Sequence, residues 1–437
     1  MKNKKLAIGL LVLVVLLGIG GVIYAVYNKP DSVEKEKPAV KEPDKEPSVY
    51  TDTDFNLNFV KTVNSSQEGN YLVSPYSVEI ALNMLKEGAN GESEKQILSV
   101  IGERKINDVT IPKRVGVANA LFIKDIYKDY VSEEFVNKLK TDYDAEVLYD
   151  KFITPNVINN WVKEKTRDMI EKVIDDISPE FVLGIADAIA IDVNWASQFE
   201  CNKTTGDEFE FDNGSKKKVE MMHKKFEFNA SYFETENAKG VVLPYATYDE
   251  KGEEVYGSKD GKRLEFIAIL PNGKASDYVE KLTTEELKAI DENKKNVNSK
   301  LNLELALPRF SYSFDLKNFM KVLQTMGIKD VFDPNNADLT GLMTKENMGK
   351  IGADNLYVGT AVHKTYIDLN EKGTRAAAVT YFGIDKNAAM LDEPEIVKVT
   401  FDKPFVYMIR DVATKEVLFF GVVKEPTLWK GSTCSNE

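Results

Sequence analysis

The sequence predicts an α+β fold, because segments with strand periodicity and segments with helix periodicity both occur. Ile185–Val193 is almost continuously apolar, which is typical of a central strand buried on both faces. Leucine alternates with other residues over Leu301–Leu307, as in a half-buried strand. A helix is predicted after Ser74, which can cap it, and Pro75, which suits its first turn; one apolar face runs over Val78–Leu85.

Further elements are predicted along the chain by the same patterns. Asp315 is expected to cap a helix that Gly327 closes. The expected strands are Leu72–Val73, Ala118–Lys124, Val241–Tyr245, Leu264–Leu270, Tyr366–Leu369, Val397–Phe401 and Val417–Val423, with a hairpin over Phe209–Met222 that turns at Asn213–Gly214 and a helix over Ile158–Ile170.

Composition favours a large globular part. The chain has 437 residues, of which 43% are hydrophobic and 29% are charged, and length alone would suggest two or three domains. The net charge of −13 disfavours nucleic acid as a partner, because no basic stripe is available to meet phosphates. Cys201 and Cys434 lie far apart, so we expect neither a disulfide framework nor a metal site.

The N-terminal segment Leu6–Val26 has no charged residue, and three of the five residues that precede it are lysines. A helix of this length would span the hydrocarbon core of a bilayer, which is about 30 Å thick. The alternative is a cleaved signal peptide, and the protein would then be secreted. The run is longer than usual for such a peptide and lacks a good cleavage site. We therefore expect a single-pass anchor at residues 1–27, with the lysines in the cytoplasm and the rest outside the cell.

A stalk is expected at residues 28–50, where four prolines stand among alternating lysine, glutamate and aspartate. The globular part is expected over residues 51–437.

The segment from His363 to Pro404 fits no ordinary element between its two terminal strands. Small residues recur at every second position from Thr374 to Thr380. Two conformations fit Arg375–Val379: a turn of helix, since alanine is the best helix former, or a strand held in reserve. Small side chains at alternate positions would let such a strand slide between two existing strands.

Several motifs together resemble the serpins, the serine-protease inhibitors. E-K-G-T-R-A-A-A-V-T at Glu371–Thr380 is similar to their hinge, and Phe401–Phe405 with Leu418–Gly421 is similar to their C-terminal signature. Ile158–Val162 and the pair Trp195 and Phe199 also match. The resemblance covers about Thr51–Pro426 and implies one domain: a serpin-like fold with a large mixed β-sheet, further sheets, a set of helices and an exposed reactive-centre loop at about residues 371–396.

The resemblance also assigns roles to residues. It implies a hinge formed by Glu371, Gly373, Thr374, Ala376, Ala377, Ala378 and Thr380. It implies a shutter or breach region, where the sheet must open, that includes Ser74, Ser77, Trp195 and His363; simple helix capping is the alternative for the two serines.

Three positions depart from the family pattern. Asp187 stands where an asparagine is usual, Asp192–Asn194 replaces Phe-Lys-Gly, and Arg375 replaces a glutamate. A buried carboxylate at Asp187 needs a partner or a raised pKa, and the resemblance offers His363 as that partner. Arg375 falls on the outward, tolerant side of the hinge, so the hinge still has the inhibitory pattern.

The scissile bond has three candidate positions. The family's usual loop length places it at Asn387–Ala388, and Lys386–Asn387 would suit a trypsin-like pocket. Because the loop is longer than usual before Phe401, a third position lies at Ala389–Met390–Leu391, which suits elastase- or subtilisin-like enzymes.

An enzyme is the least favoured class. The sequence lacks H-E-x-x-H, G-x-S-x-G, P-loop and Rossmann motifs, and its two histidines, His223 and His363, are more consistent with structural roles. We expect no catalytic residue, no metal and no cofactor. The expected partner is a serine protease in a covalent complex, with a cysteine protease as the alternative, and the protein is expected to be monomeric. The rival functions are a non-inhibitory surface binding protein of the same fold and an adhesion or receptor ectodomain.

Overall fold

Three β-sheets and nine α-helices are formed in the computed structural model by the residues that it describes, which are 10–18, 55–256, 261–374 and 393–431. The predicted α+β class is confirmed. The strands are β1 (Leu10–Gly18), β2 (Tyr71–Val73), β3 (Val115–Lys124), β4 (Glu146–Asp150), β5 (Phe181–Ile191), β6 (Val193–Asn194), β7 (Thr204–Glu210), β8 (Lys216–Phe226), β9 (Ser231–Glu234), β10 (Ala238–Pro244), β11 (Leu264–Pro271), β12 (Lys295–Asn296), β13 (Leu301–Pro308), β14 (Phe310–Asp315), β15 (Tyr357–Leu369), β16 (Gly373–Thr374), β17 (Glu395–Thr400), β18 (Phe405–Asp411) and β19 (Val417–Val423). The helices are α1 (Phe55–Asn64), α2 (Pro75–Lys86), α3 (Gly91–Ile101), α4 (Glu133–Asp142), α5 (Asn156–Lys165), α6 (Ala275–Glu280), α7 (Thr284–Glu292), α8 (Phe319–Met326) and α9 (Lys345–Lys350).

The central sheet has eight strands in the order β4-β3-β5-β1-β15-β16-β6, with β14 on the outer side of β15. It is mixed, because β3 and β4 are parallel whereas β3 and β5 are antiparallel. β1 is antiparallel to both β5 and β15, so β5 and β15 run parallel to each other. Only Asp192 separates β5 from β6, and these two strands therefore form one edge of a common channel whose other edge is β15.

A second sheet of seven strands, β12-β9-β10-β11-β18-β19-β2, and a third of four strands, β17-β13-β8-β7, complete the architecture. Every residue of β5, β18 and β19 is buried, as the continuous apolar pattern of Ile185–Val193 and Val417–Val423 predicts. Helix α2 packs on β5 and β19 through its buried face, which includes Val78, Leu82 and Leu85. The core thus lies between the central sheet and the seven-stranded sheet.

The N-terminal segment differs from the predicted membrane helix over Leu6–Val26. Nine of these residues form strand β1 in the middle of the central sheet. Within the described ranges, none of the helices has both the length and the hydropathy needed to cross a membrane. The reason for the ambiguity is physical: an uncharged run of leucine and valine suits a strand buried on both faces as well as a lipid-embedded helix.

Two element boundaries also differ from the prediction. Asp315 ends strand β14 instead of capping a helix, and its carboxylate pairs with Lys317 and, at 3.5 Å, with Lys364. Helix α8 begins only at Phe319, and Gly327 closes it with φ 121° as expected. Helix α5 stops at Lys165 because Arg167 and Asp168, with φ of 50° and 64°, turn the chain.

Cys201 is disulfide-bonded. The chain's other cysteine is Cys434, which lies outside the described residues. The expectation that the cysteines form no disulfide is therefore wrong for Cys201, because separation along the sequence does not measure distance in the fold.

Candidate functional site

The candidate site is the channel of the central sheet between the β5–β6 edge and β15, here called the slot. Parallel strands that do not contact each other leave their facing N–H and C=O groups for a third strand. Two separate segments use the slot. β1 pairs with both edges along most of the length of β5, and the short strand β16 pairs with β15 and β6 at the end of the slot near Trp195.

Strand β16 consists of Gly373 and Thr374, two of the predicted hinge residues. Gly373 lies opposite Asn194, and Thr374 lies opposite Val193 on one side and Leu369 on the other. Gly373 has φ 155°, and a Cβ there would lie 2.2 Å from the carbonyl oxygen of Val193. Only glycine therefore fits this close approach. Thr374 is buried, and its Oγ1 lies 2.6 Å from the hydroxyl of Tyr245.

Glu371 holds the chain just before β16. Thr204 donates its hydroxyl to Glu371 Oε1 at 2.6 Å, and Arg309 Nε lies 3.5 Å from Oε2. The backbone carbonyl of Glu371 accepts from the N–H of Phe199 at 2.8 Å. A buried carboxylate with a hydroxyl donor and a guanidinium is well satisfied, so the start of the hinge is fixed in position.

Trp195 packs beside the hinge at the same end of the slot. Its ring stacks on Tyr245 at a centroid distance of 4.5 Å and makes edge contacts with Phe199 and Phe266. Its indole N–H donates to the carbonyl of Asn370 at 2.9 Å, and its backbone N–H donates to the carbonyl of Lys372 at 2.8 Å. Trp195 therefore joins the hinge backbone to the core beneath it.

The region around Ser74, Ser77 and His363 lies under the middle of the slot. All three side chains are buried. Ser74 caps α2, since its hydroxyl oxygen accepts from the N–H of Ser77 at 3.2 Å. The N–H of Ser74 in turn donates to His363 Nε2 at 3.3 Å, and the imidazole packs against Phe59 and Phe319. Helix capping and the contact with the sheet thus use the same serine.

Asp187 is the least satisfied polar group of the site. It is fully buried, and among the described residues neither carboxylate oxygen has a hydrogen-bond partner. Burial raises the pKa of Asp187 well above its ordinary value, which favours the neutral acid. His363 Nδ1 also lacks a partner in the described structure, and burial lowers the pKa of His363 to about 3.

The pairing expected between Asp187 and His363 is not found. Both residues lie opposite Leu13, one on each side of β1, so that a whole strand separates them. Strands are about 4.8 Å apart in a sheet, and the two backbones are therefore separated by roughly 10 Å. Each group remains buried without its expected partner.

The departure at Asp192–Asn194 lies at the hinge end of the slot. Asp192 donates its backbone N–H to the carbonyl of Arg114 at 2.8 Å, and Asn194 donates its backbone N–H to the hydroxyl of Tyr248 at 2.9 Å. The Arg114 guanidinium in turn lies 5.0 Å from the centroid of the Tyr248 ring. This side of the slot is therefore held by polar contacts.

Three residues of the site were not identified from the sequence: Tyr245, Thr204 and Arg309. Their contacts to Thr374 and Glu371 join positions more than 60 residues apart in the chain. A single sequence carries no local signal for such contacts.

The remaining predicted site residues lie outside the described residues. They are Ala376, Ala377, Ala378 and Thr380 of the hinge and Lys386, Asn387, Ala388 and Met390 of the candidate scissile bonds. Within the described ranges no cluster of three or more His, Cys, Asp or Glu side chains could hold a metal ion. His223 lies in β8 of the four-stranded sheet, and its Nε2 lies 3.0 Å from Asp207 Oδ2.

Comparison with known proteins gives a consistent result. Residues 50–426 match a sequence model of the family described as serpin (serine protease inhibitor). The chain is 27% identical over 402 residues to the leukocyte elastase inhibitor of Xenopus tropicalis, covering 86% of this chain and 98% of that one. It is 28% identical over 410 residues to a serpin-like protein of Thermococcus kodakarensis, covering 89% and 88%. The crystal structure of the thermophilic serpin tengpin in its native state superimposes with a TM-score of 0.71, at 29% identity, covering 90% of this chain and 97% of that chain.

Proposed function

The chain belongs to the serpin family, and from this premise we propose that it inhibits a serine protease by acting as a suicide substrate. The observation that carries the proposal is the position of β16. Gly373–Thr374 is paired antiparallel between the two edges of the slot, so the chain that follows it points along the slot. A cut beyond the hinge would free that chain to continue as a strand.

The register of β16 sets the depth of insertion. Thr374 lies opposite Val193, and each further loop residue would lie opposite the preceding residue of β5. Twelve residues beyond Thr374 is Lys386, and twelve before Val193 is Phe181, the first residue of β5. A loop inserted as far as Lys386 would therefore fill the slot. This supports a scissile bond at Lys386–Asn387 or Asn387–Ala388 over one at Ala389–Met390–Leu391.

The proposed reaction begins as ordinary proteolysis. The protease nucleophile attacks the carbonyl carbon of the residue before the scissile bond, the amine of the next residue leaves, and an acyl-enzyme forms. The released C-terminal part begins a few residues before β17 and remains in the fold through β17, β18 and β19. The freed N-terminal part inserts and carries the protease along the slot, about 3.3 Å per residue. Displacement of the protease before water hydrolyses the ester completes the inhibition.

The energy for this displacement is stored in the sheet. Insertion would give the loop backbone ladder hydrogen bonds on both sides, as part of a central strand. The intact chain is then a kinetically trapped form, and the cleaved chain is the more stable one.

We propose that the domain acts outside the cell. The disulfide at Cys201 supports an oxidising compartment. Attachment to the cell membrane through Leu6–Val26 remains a proposal, and it competes with strand β1 for the same residues; secretion is the alternative. Extraction of cell membranes with alkaline carbonate would distinguish them, since an anchored chain stays in the pellet.

A second candidate function is favoured by one observation. β1 already fills most of the slot. A serpin whose slot stays filled cannot take up its loop, so it would act as a non-inhibitory binding protein.

A panel of proteases tests the two candidates. The chain is incubated with trypsin-, elastase- and subtilisin-like enzymes, and the products are separated by denaturing gel and weighed by mass spectrometry. An SDS-stable adduct that mild base breaks, together with a released C-terminal peptide, is the expected result. A cut at the loop with no adduct and no rise in melting temperature would instead indicate the non-inhibitory function.

A further inference from the structure

The slot has two competing occupants within this one chain. The inference rests on the proposed function for the second of them, the cleaved loop. The first, β1, is present in the structure: seven of its residues pair with β15 and all nine pair with β5. It runs antiparallel to both edges, which is also the direction of β16.

The registers of the two occupants coincide. Thr374 lies opposite Val193 and Leu369. Six residues beyond Thr374 is Thr380, six before Val193 is Asp187, and six before Leu369 is His363. An inserted loop would therefore place Thr380 opposite Asp187 and His363 together. In the structure Leu13 holds that same position on both sides.

The coincidence extends along the strand. Leu10 lies opposite Ala190, where an inserted loop would place Ala377. Leu17 lies opposite Leu183, where the same loop would place Ile384. Since one backbone excludes the other, Leu10–Leu17 and Ala377–Ile384 cannot be in the slot at the same time.

We propose that the N-terminal segment Leu10–Gly18 is a built-in competitor of the reactive loop, which binds the slot of its own domain and must leave before the loop inserts. The N-terminal strand lowers the rate at which the cleaved loop inserts, and with it the rate at which protease is trapped. It also prevents premature insertion of an uncut loop, because the slot is already filled.

The two occupants differ in the hydrogen bonds that they can offer to the buried polar groups of the slot. Leucine at position 13 offers no hydrogen-bonding group to the buried Asp187 carboxyl or to His363 Nδ1, which have no partner in the described structure. Threonine at position 380 carries a hydroxyl that can donate and accept. Residues directly opposite each other in an antiparallel ladder project from the same face, so this hydroxyl would face both groups. The loop is therefore the better occupant, and the N-terminal strand is displaceable.

Hydrogen exchange on the full chain tests the first part of the proposal. Peptides covering Leu10–Gly18 are expected to exchange slowly in the intact chain and quickly after the loop is cut. Fast exchange in the intact chain would overturn the proposal. So would slow exchange after cutting in molecules whose raised melting temperature shows that the loop has inserted.

Removal of backbone N–H donors from β1 tests the second part of the proposal, that this strand must leave before the loop inserts. Val12→Pro with Val15→Pro removes ladder hydrogen bonds from a central strand, which tolerates proline poorly. The rate of SDS-stable adduct formation is expected to rise at least about tenfold, since each proline removes a ladder hydrogen bond that holds the N-terminal strand in the slot. Val33→Pro, which lies beyond β1 in a stretch that already contains prolines, is the matched control and should leave the rate unchanged.

The outcomes separate this proposal from the proposed function. Equal rates of adduct formation in the wild-type chain and in the double proline variant would refute competition for the slot, and the proposed inhibitory function would stand. If neither chain forms an adduct although Leu10–Gly18 exchanges slowly, the strand occupies the slot as proposed and the inhibitory function is refuted.

Discussion

Asp187 and His363 lie at the same level of the central sheet, on opposite sides of Leu13, and neither has the other as a partner. Both residues act on the start of α2. His363 Nε2 accepts a hydrogen bond from the N–H of Ser74. Burial raises the pKa of Tyr76, and the nearby Asp187 carboxyl raises it further. Asn119 lies opposite Asp187 on the next strand, and its side-chain amide donates to the carbonyl of Tyr143 instead. The arrangement makes the stability of the sheet sensitive to these two side chains.

Asp187→Asn is expected to reduce the loss of stability at alkaline pH. The pKa of Asp187 is raised, so its folded form binds a proton that the unfolded form has released above about pH 3.8. Stability therefore falls as pH rises toward the folded pKa, by up to about 1.4 kcal/mol per pH unit. His363 has a lowered pKa, about 3, and its contribution is lost only as pH falls below 6.5. The window above pH 6.5 thus separates the contribution of Asp187 from that of His363.

Melting temperatures of the wild type and the variant between pH 7 and 9 provide the measurement. Asp176→Asn, at an exposed aspartate, is the control and should retain the wild-type slope. Parallel curves for Asp187→Asn and the wild type would show that this carboxyl is already ionised in the fold.

Thr374→Arg is expected to convert the inhibitor into a substrate. Thr374 is buried between Leu369 and Val193, and an arginine there would bury an unpaired charge. Loop cleavage should continue while SDS-stable adducts fall at least about tenfold, since an unpaired buried charge costs several kcal/mol. Arg375→Glu, on the outward side of the hinge pattern, is the matched control and should still form adducts. Undiminished adducts from Thr374→Arg would contradict insertion through this position.

Gly373→Ala is expected to destabilise the intact chain. A Cβ at this position would meet the Val193 carbonyl oxygen at 2.2 Å with φ at 155°. The cost should be about 2–3 kcal/mol or more, because strain adds to the steric overlap. Gly214→Ala separates the two effects, since Gly214 also has a positive φ, 76°, but no atom within 4 Å of a built Cβ. Denaturant titration of both variants should give the larger loss for Gly373→Ala; equal losses would mean that the close approach to Val193 is unimportant.

Tyr245→Phe is expected to loosen the hinge without disturbing the stack on Trp195. The substitution removes the hydroxyl that contacts Thr374 Oγ1 at 2.6 Å and leaves a buried threonine hydroxyl unpaired. A loss of about 1–2 kcal/mol is expected. Tyr256→Phe, at a tyrosine that is 81% exposed, is the control. In a cycle with Thr374→Val, non-additive losses are expected; strict additivity would show that the two hydroxyls do not interact.

The fold was largely predictable because its strands carry strong patterns. Ile185–Val193 is apolar except for Asp187 and Asp192, and this pattern predicts a strand buried on both faces. Asp315 was misassigned because an aspartate before an amphipathic run is an equally good signal for a cap and for the end of a strand. Local pattern does not resolve that choice.

The site was predictable only where the chain is locally unusual. Gly373 and Thr374 stand out by composition, and the structure places both in the slot. The position of β1 was not predictable, since Leu6–Val26 has the length and hydropathy of a membrane helix and nothing in it identifies the parallel pair β5 and β15 as neighbours. The missing partner of Asp187 was not predictable for the same reason, because it is β1 that separates Asp187 from His363.

The parallel pair β5 and β15 recognises backbone direction more than sequence, so any chain that runs antiparallel to both can pair with them. A covalent connection to the same domain is therefore not required. At high concentration the N-terminal strand of one molecule could enter the sheet of a second, whose own strand passes to a third, and the resulting head-to-tail contact does not close on itself. The expected sign of this exchange is linear fibres that form from the wild-type chain and do not form when residues 10–18 are replaced by prolines.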